Sequence, residues 1–250
     1  MLYFRFRFRT LLLAGVLALL CAVPIAQAEF GETEDRFERF NRTMFTFNDR
    51  LDRAVLAPLA RGYEAITPRP VNNAVSNFFS NLAQVHVIAN DLLQLEFEQA
   101  LRSTTRLVYN TTFGIGGLFD VATHMELPKT RQDFGQTLAR WGVGEGHYIV
   151  LPVFGPSTTR DMWRVPVDSW LLDPARYVDS STLRWGLRGL NAIDTRAGLL
   201  QAGRLLDEAA LDPYSFQREA FLQRRRVLIL GEEAMQPRFD FDFDDDDDDW

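Results

Sequence analysis

The segment FERFNRTMFTFND, residues Phe37 to Asp49, decides how the chain folds. Phenylalanines and a methionine alternate here with arginines, asparagines and acidic residues. At about 100° per residue, the apolar side chains fall on one side of a helix and the charged ones on the other. The apolar stripe consists of Phe37, Phe40, Met44, Phe47, Leu51 and Val55. The segment is therefore predicted to be a strongly amphipathic helix.

Two asparagines, Asn41 and Asn48, lie one heptad apart at the edge of this stripe. A buried amide without hydrogen bonds costs a few kcal/mol, so these side chains are expected to bind a neighbouring backbone and to act as structural amides. Periodicity does not distinguish a stripe that packs against protein from one that faces acyl chains. Both interpretations stay open at this point.

Most of the remaining chain has helical patterns separated by short breaks. Residues 148–157, YIVLPVFGPS, have the composition of a strand, but Pro152 and Pro156 interrupt them and favour an apolar loop. Alternating strand patterns are almost absent, so a mainly α fold without a substantial sheet is expected. The predicted helices cover residues 71–94, 97–110, a segment that begins with a capping box at Thr158 and Asp161, residues 181–210, and a last helix from Asp212 to Gly231.

The N-terminus has the order of a secretory signal peptide. Three arginines precede an apolar block at residues 11–23, and Ala-Gln-Ala follows at 26–28. The apolar block is too short for a good transmembrane span. Residues 1–28 are therefore predicted to be removed by cleavage between Ala28 and Glu29.

Cys21, the only cysteine, lies inside that block and could instead accept a lipid, as in bacterial lipoproteins. The residue before it is the bulky Leu20, where a lipoprotein signal normally has a small residue. Lipidation of Cys21 is thus doubtful, and a small apolar residue in a signal helix is the favoured interpretation.

The mature chain would carry 24 basic against 34 acidic residues, a formal net charge of −10. Eight of the acids are aspartates between Asp240 and Asp249, and such a block is expected to be disordered and solvated. The alternative, a calcium site, lacks the glycine and the terminal glutamate of an EF-hand loop. We expect a helical domain over residues 29–232 and an acidic tail over 233–250. An acidic exported chain also argues against nucleic acid as a partner.

The sequence contains no recognisable catalytic set. It has neither a G-x-S-x-G nor an H-E-x-x-H motif, and its only histidines are His86, His124 and His147. A lipid hydrolase is the rival hypothesis, but nothing at the level of motifs supports it. No enzyme activity, no metal and no cofactor are therefore predicted.

A glycine cluster at Gly114, Gly116 and Gly117 does not form a dinucleotide fingerprint, because Phe119 occupies the third glycine position. The glycines are expected to allow tight turns or close helix approach, or to form a flexible loop around a passing ligand.

Several long segments together resemble the MlaA family, also called VacJ. Besides FERFNRTMFTFND, they are RLVYNTTFGIGGLFDVAT (106–123), DFGQTLARWGVGEGHYIVLPVFGPSTTRD (133–161), DTRAGLL (194–200) and DPYSFQREAFLQRR (212–225). The resemblance spans about residues 33–226, in the order found in the family.

The resemblance implies a ring-like bundle of amphipathic helices in the inner leaflet of the outer membrane of a Gram-negative bacterium, on its periplasmic side. Through an amphipathic channel, such proteins pass mislocalised outer-leaflet phospholipids to a periplasmic carrier of the MlaC type, and they associate with trimeric porins. Phe37, Phe40, Met44 and Phe47 then become candidates for membrane or channel contact. The alternative is a structural envelope protein that braces porins without conducting lipid.

Overall fold

The computed structural model describes residues 35–231. The predicted signal peptide, the cleavage site between Ala28 and Glu29, Cys21 and the acidic tail lie outside these residues.

The described chain is mainly helical, as the sequence predicts, with one small sheet. The helices are α1 (Glu38–Leu51), α2 (Ala57–Ile66), α3 (Arg69–Leu93), α4 (Phe97–Thr112), α5 (Val121–His124), α6 (Phe134–Arg140), α7 (Arg164–Pro166), α8 (Ser181–Gly198), α9 (Leu200–Ala209) and α10 (Pro213–Leu230). The strands are β1 (Tyr148–Leu151) and β2 (Gly155–Thr158). Short π-helical segments (Asp52–Leu56, Val167–Leu171) and 3₁₀ segments (Asp161–Trp163, Pro174–Tyr177) connect several of them.

The helix ends follow from local sequence. In α10, the Asp212 carboxylate accepts a hydrogen bond from the Tyr214 backbone N–H, Pro213 takes the first position, and Gly231 ends the helix at a φ of 82°. The predicted helix at 181–210 divides at Leu199 into α8 and α9. The helix predicted after Thr158 forms only as short 3₁₀, α and π turns, although the Thr158 hydroxyl does accept from the Asp161 N–H.

The apolar loop predicted at residues 148–157 is wrong, because this segment forms an antiparallel hairpin. Pro152 lies in its turn, and Pro156 lies opposite Val150. The Val150 N–H donates to Asn41 rather than to β2, so this pair is not hydrogen-bonded across the sheet. The missing N–H of Pro156 therefore removes no ladder bond, and an edge strand tolerates it.

The side-chain amides of Asn41 and Asn48 in α1 form hydrogen bonds with the backbone of β1 and the hairpin turn, as a neighbouring strand would. The Asn41 amide donates to the Tyr148 carbonyl at 3.1 Å and accepts from the Val150 N–H at 2.8 Å. The Asn48 amide donates to the Leu151 carbonyl at 2.9 Å and accepts from the Val153 N–H. These bonds fix the position of α1 along the strand.

A small apolar core lies where α1, β1 and α10 meet. Tyr148 and Val150 pack against Tyr214 and Leu222, and Met44 contributes from α1. Ring contacts at centroid distances of 5.7 to 6.3 Å add edge-on aromatic packing around Tyr214. This core holds the hairpin between two helices that are distant in sequence.

The contacts between elements close into a ring. Helix α3 packs against α6, α6 against α10, α10 against β2, and β1 against α1. The chain then continues from α1 into α2, which packs against α8, and α8 returns to α3. Helix α4 packs on the outside against α3. The ring-like arrangement expected from the family resemblance is confirmed.

Candidate functional site

A large cavity lies within this ring. Its volume is about 1110 Å³, above the roughly 300–1,000 Å³ typical of small-molecule pockets. Its wall is built from parts of α3, α8 and α10, the segments around residues 129–136 and 164–175, and the hairpin turn. The cavity has room for a ligand larger than an ordinary metabolite.

The cavity wall is amphipathic. Apolar side chains come from at least four of its elements and include Phe79, Leu82, Phe154, Trp170, Phe221 and Leu228. The same wall carries six basic side chains, Lys129, Arg131, Arg164, Arg188, Arg224 and Arg225, and three aspartates, Asp133, Asp168 and Asp173. Such a surface can contact hydrocarbon and an anionic group at the same time.

The aspartates of the wall neutralise part of its positive charge. Arg225 pairs with Asp133 at 2.6 Å, and Arg188 pairs with Asp173 at 2.9 Å. Lys129 pairs at 3.1 Å with Asp120, which lies outside the wall. Within residues 35–231, Arg131, Arg164 and Arg224 make no side-chain hydrogen bond or contact ion pair, although the positive charge of Arg164 acts to lower the pKa of Asp133 and of Asp168.

Arg188 is held between two tryptophans. Its guanidinium carbon lies 5.8 Å from the ring centre of Trp170 and 5.4 Å from that of Trp185, and Asp173 fixes its orientation. Both tryptophans are more than half exposed, so this side of the wall reaches solvent. The cluster joins α8 to the segment at residues 167–173.

The Asp168 carboxylate connects three parts of the wall. It accepts hydrogen bonds from the Asn90 amide on α3 and from the Phe134 N–H at the start of α6, both at 2.9 Å. Burial, and less strongly the charge of Asp133, raises the pKa of Asp168 to about 6. Asp168 therefore positions α3 and α6, and its own charge depends on pH near neutrality.

Arg225 fastens α10 to α6 and to the segment after β2. It donates to Asp133, which also caps α6, and to the fully buried Asp161 at 2.9 Å. A Cβ at Gly135 would lie 2.4 Å from an Asp161 carboxylate oxygen, so only glycine permits this approach. The network closes the ring at the α6–α10 contact.

The aromatic stripe of α1 is divided between core and surface. Phe37, Phe40 and Phe47 are 42%, 46% and 48% exposed, whereas Met44 packs against the core at Tyr148 and Tyr214. None of the four lines the large cavity. Membrane or channel contact of Phe37, Phe40, Met44 and Phe47 stays a prediction.

A second exposed apolar stripe runs along the outer helix α4. Phe97, Leu101 and Val108 are each at least half exposed, at spacings of four and seven residues that place them on one face. Phe113 and Ile115 extend this surface beyond the helix. Exposed apolar patches of this kind mark contact with a membrane or another protein.

The glycine cluster follows α4 and packs closely. A Cβ at Gly114 would lie 2.2 Å from the Phe119 carbonyl oxygen, and one at Gly117 would lie 2.6 Å from the Asn81 side chain. Gly116 and Gly117 also have positive φ, of 69° and 92°. These glycines allow a tight turn against α3, while a role in loop flexibility stays a prediction.

The histidines do not come together. His86 lines the cavity, and burial lowers its pKa. His147 lies edge-on to Phe37, and His124 is exposed at the end of α5. In the part of the chain that the structure describes, no group of acidic, histidine or cysteine side chains is arranged to hold a metal ion. Across the same residues, no helix has the length and apolar character needed to cross a membrane.

Sequence reasoning missed the cavity wall, because its residues are scattered from Ser76 to Leu228 and no spacing rule connects them. One sequence pattern does point to this surface: Asp168 is two residues from Trp170, and Arg188 is three residues from Trp185. A charged side chain close to a tryptophan is typical of an amphipathic surface. The helical spacing of Phe97, Leu101 and Val108 also predicts the apolar stripe of α4.

These features define a class of protein: a mainly helical ring around an amphipathic cavity. The chain belongs to the MlaA family, since the family model for the MlaA lipoprotein matches residues 33–228.

Known proteins resemble the chain over most of its length. It is 39% identical over 210 residues to the intermembrane phospholipid transport system lipoprotein MlaA of Escherichia coli K12, and the aligned region covers 80% of each chain. It is 34% identical over 220 residues to the protein of the same name from Haemophilus influenzae, with 86% of each covered. A solved structure from work on the "structural basis for maintenance of bacterial outer membrane lipid asymmetry" has a TM-score of 0.66 and 35% identity. That match covers 79% of this chain and 100% of the other.

Proposed function

We propose that the protein transports phospholipids between membranes and so maintains the lipid asymmetry of the outer membrane. It takes mislocalised phospholipids from the outer leaflet through the cavity and passes them to a soluble periplasmic carrier of the MlaC type. The observation that carries this proposal is the 1110 Å³ cavity with both apolar and cationic walls inside a closed ring of elements.

The physical requirement is a passage that solvates a charged headgroup while it shields acyl chains. A phospholipid headgroup resists entering hydrocarbon, because an unpaired charge is costly there. Arg131, Arg164 and Arg224 can donate to a phosphate, and Phe79 and Phe221 can contact acyl chains. Contacts that are few and partly solvated would bind a headgroup without trapping it.

The outer surface of the protein supports attachment to a membrane. Membrane attachment through amphipathic surfaces suits the exposed stripe of α4 and the phenylalanines of α1. The proposal also includes what the family resemblance implies: a position in the inner leaflet of the outer membrane, on the periplasmic side, beside a trimeric porin. The proposal includes no catalytic step.

A plugging experiment tests transport. Deletion of the gene should leave excess phospholipid in the outer leaflet and sensitise cells to detergent and chelator. Ala83→Trp places a bulky side chain in the cavity and should reproduce the effect of the deletion. Ala65→Trp, at an exposed position of α2 outside the wall, should restore the deletion strain to normal. Full rescue by a correctly inserted Ala83→Trp variant would overturn transport through the cavity and favour a structural brace for porins.

A further inference from the structure

The cavity wall has more positive charge than its own carboxylates neutralise. Arg131 precedes α6, Arg164 begins α7, and Arg224 lies on α10. Three separate parts of the chain thus contribute one arginine each to the same cavity. Their convergence is a property of the ring and not of one charged helix face.

The carboxylates of the wall are already engaged. Both oxygens of Asp133 accept from Arg225, and those of Asp173 accept from Arg188 and the Ala175 N–H. Those of Asp168 accept from Asn90 and the Phe134 N–H. An ammonium group that entered the cavity would have to compete with these donors for an acceptor.

We infer that the cavity prefers phospholipids whose headgroup carries a net negative charge over zwitterionic ones. The inference rests on the proposed function. The phosphate of either lipid class finds guanidinium donors, since arginine's planar fork matches phosphate geometry. Only the zwitterionic class also brings an ammonium. That group meets Arg131 and Arg224, which form no ion pair within residues 35–231, and Arg164, whose charge already acts on Asp133 and Asp168. Each carboxylate of the wall already accepts hydrogen bonds at both of its oxygens.

The magnitude follows from one unit of charge in a partly solvated cavity. Arg131 and Arg224 are exposed and Arg164 is half-buried, so solvent screens much of the interaction. A difference of roughly threefold to tenfold in bound lipid is expected, and it should shrink as salt concentration rises.

The experiment measures bound lipid directly. The full-length protein, purified in detergent, is mixed with vesicles of equal phosphatidylglycerol and phosphatidylethanolamine with the same acyl chains, re-isolated, and its lipid quantified by mass spectrometry. The protein should be enriched in phosphatidylglycerol. Combined Arg131→Gln, Arg164→Gln and Arg224→Gln should abolish the enrichment while the total lipid bound stays similar.

The matched control is Arg69→Gln, an exposed arginine at the start of α3 outside the cavity wall, which should keep the enrichment. If the triple variant does not fold, the three single variants should each reduce it. Equal binding of both lipids by the unmodified protein, or loss of enrichment in Arg69→Gln as well, would overturn the preference and leave the proposed function standing. Failure to retain any phospholipid would overturn both.

Discussion

Replacing Asn41 by alanine should be among the most destabilising changes in α1. The Asn41 side chain is fully buried and bonds to the Tyr148 carbonyl and the Val150 N–H. Val150 is itself fully buried, so water cannot easily replace the lost amide. Two unsatisfied buried groups at about 1–3 kcal/mol each give a loss of about 4 kcal/mol. For a domain of this size, that loss lowers Tm by about 10 °C.

The assay is thermal or urea unfolding of the protein in detergent, with Asn48→Ala as the matched control. Asn48 makes the same kind of bonds, to the Leu151 carbonyl and the Val153 N–H, but Val153 is 65% exposed. Water can satisfy the freed groups there, so the control should lose about 1 kcal/mol. Equal losses in the two variants, or a loss below about 1 kcal/mol for Asn41→Ala, would show that the amides do not hold the hairpin as described.

N-terminal analysis of the exported protein should find Glu29 first, and a diacylated Cys21 would contradict the predicted cleavage. Phe40→Asp should weaken co-flotation of the protein with membranes and change its stability little, since Phe40 is 46% exposed. Met44→Asp should lower stability, because Met44 packs against the core. Equal unfolding by both variants would assign Phe40 to the core. Gly135→Ala should cost about 3 kcal/mol in urea unfolding, whereas Gly189→Ala, with nothing within 4 Å of its added Cβ, should cost nothing; equal effects would remove the steric argument. Folding raises the pKa of Asp168 to about 6, so the contribution of this group to the free energy of unfolding is complete below about pH 4 and is lost as pH rises through 6. The stability of the protein relative to Asp168→Asn should therefore fall between these pH values. A difference that does not depend on pH would refute this.

Helical periodicity predicted most of the fold. The patterns at residues 71–94 and 97–110 correspond to α3 and α4, and Asp212, Pro213 and Gly231 bound α10 as expected. Such signals work because caps and apolar stripes act within one or two turns of the chain.

The hairpin could not be predicted, because its stability comes from elsewhere in the chain. The strand needs the amides of Asn41 and Asn48 about 100 residues away, and Pro156 is tolerated only in the register that the fold selects. The polar atoms of both asparagines were expected to bind backbone, but the sequence could not say which. The cavity has the same origin, since its arginines converge only when the ring closes.

The central claim is that a phospholipid occupies the cavity, and site-specific photocrosslinking in cells tests it most directly. A photoreactive residue at Ala83, in the cavity wall, should capture phospholipid that mass spectrometry identifies, and Ser80→Trp beside it should abolish the capture. A photoreactive residue at Leu101, 67% exposed on the outer face of α4, reports contact with surrounding lipid and serves as the positive control. Capture at Leu101 with none at Ala83 would contradict the account, because the protein would then contact lipid only on its outside.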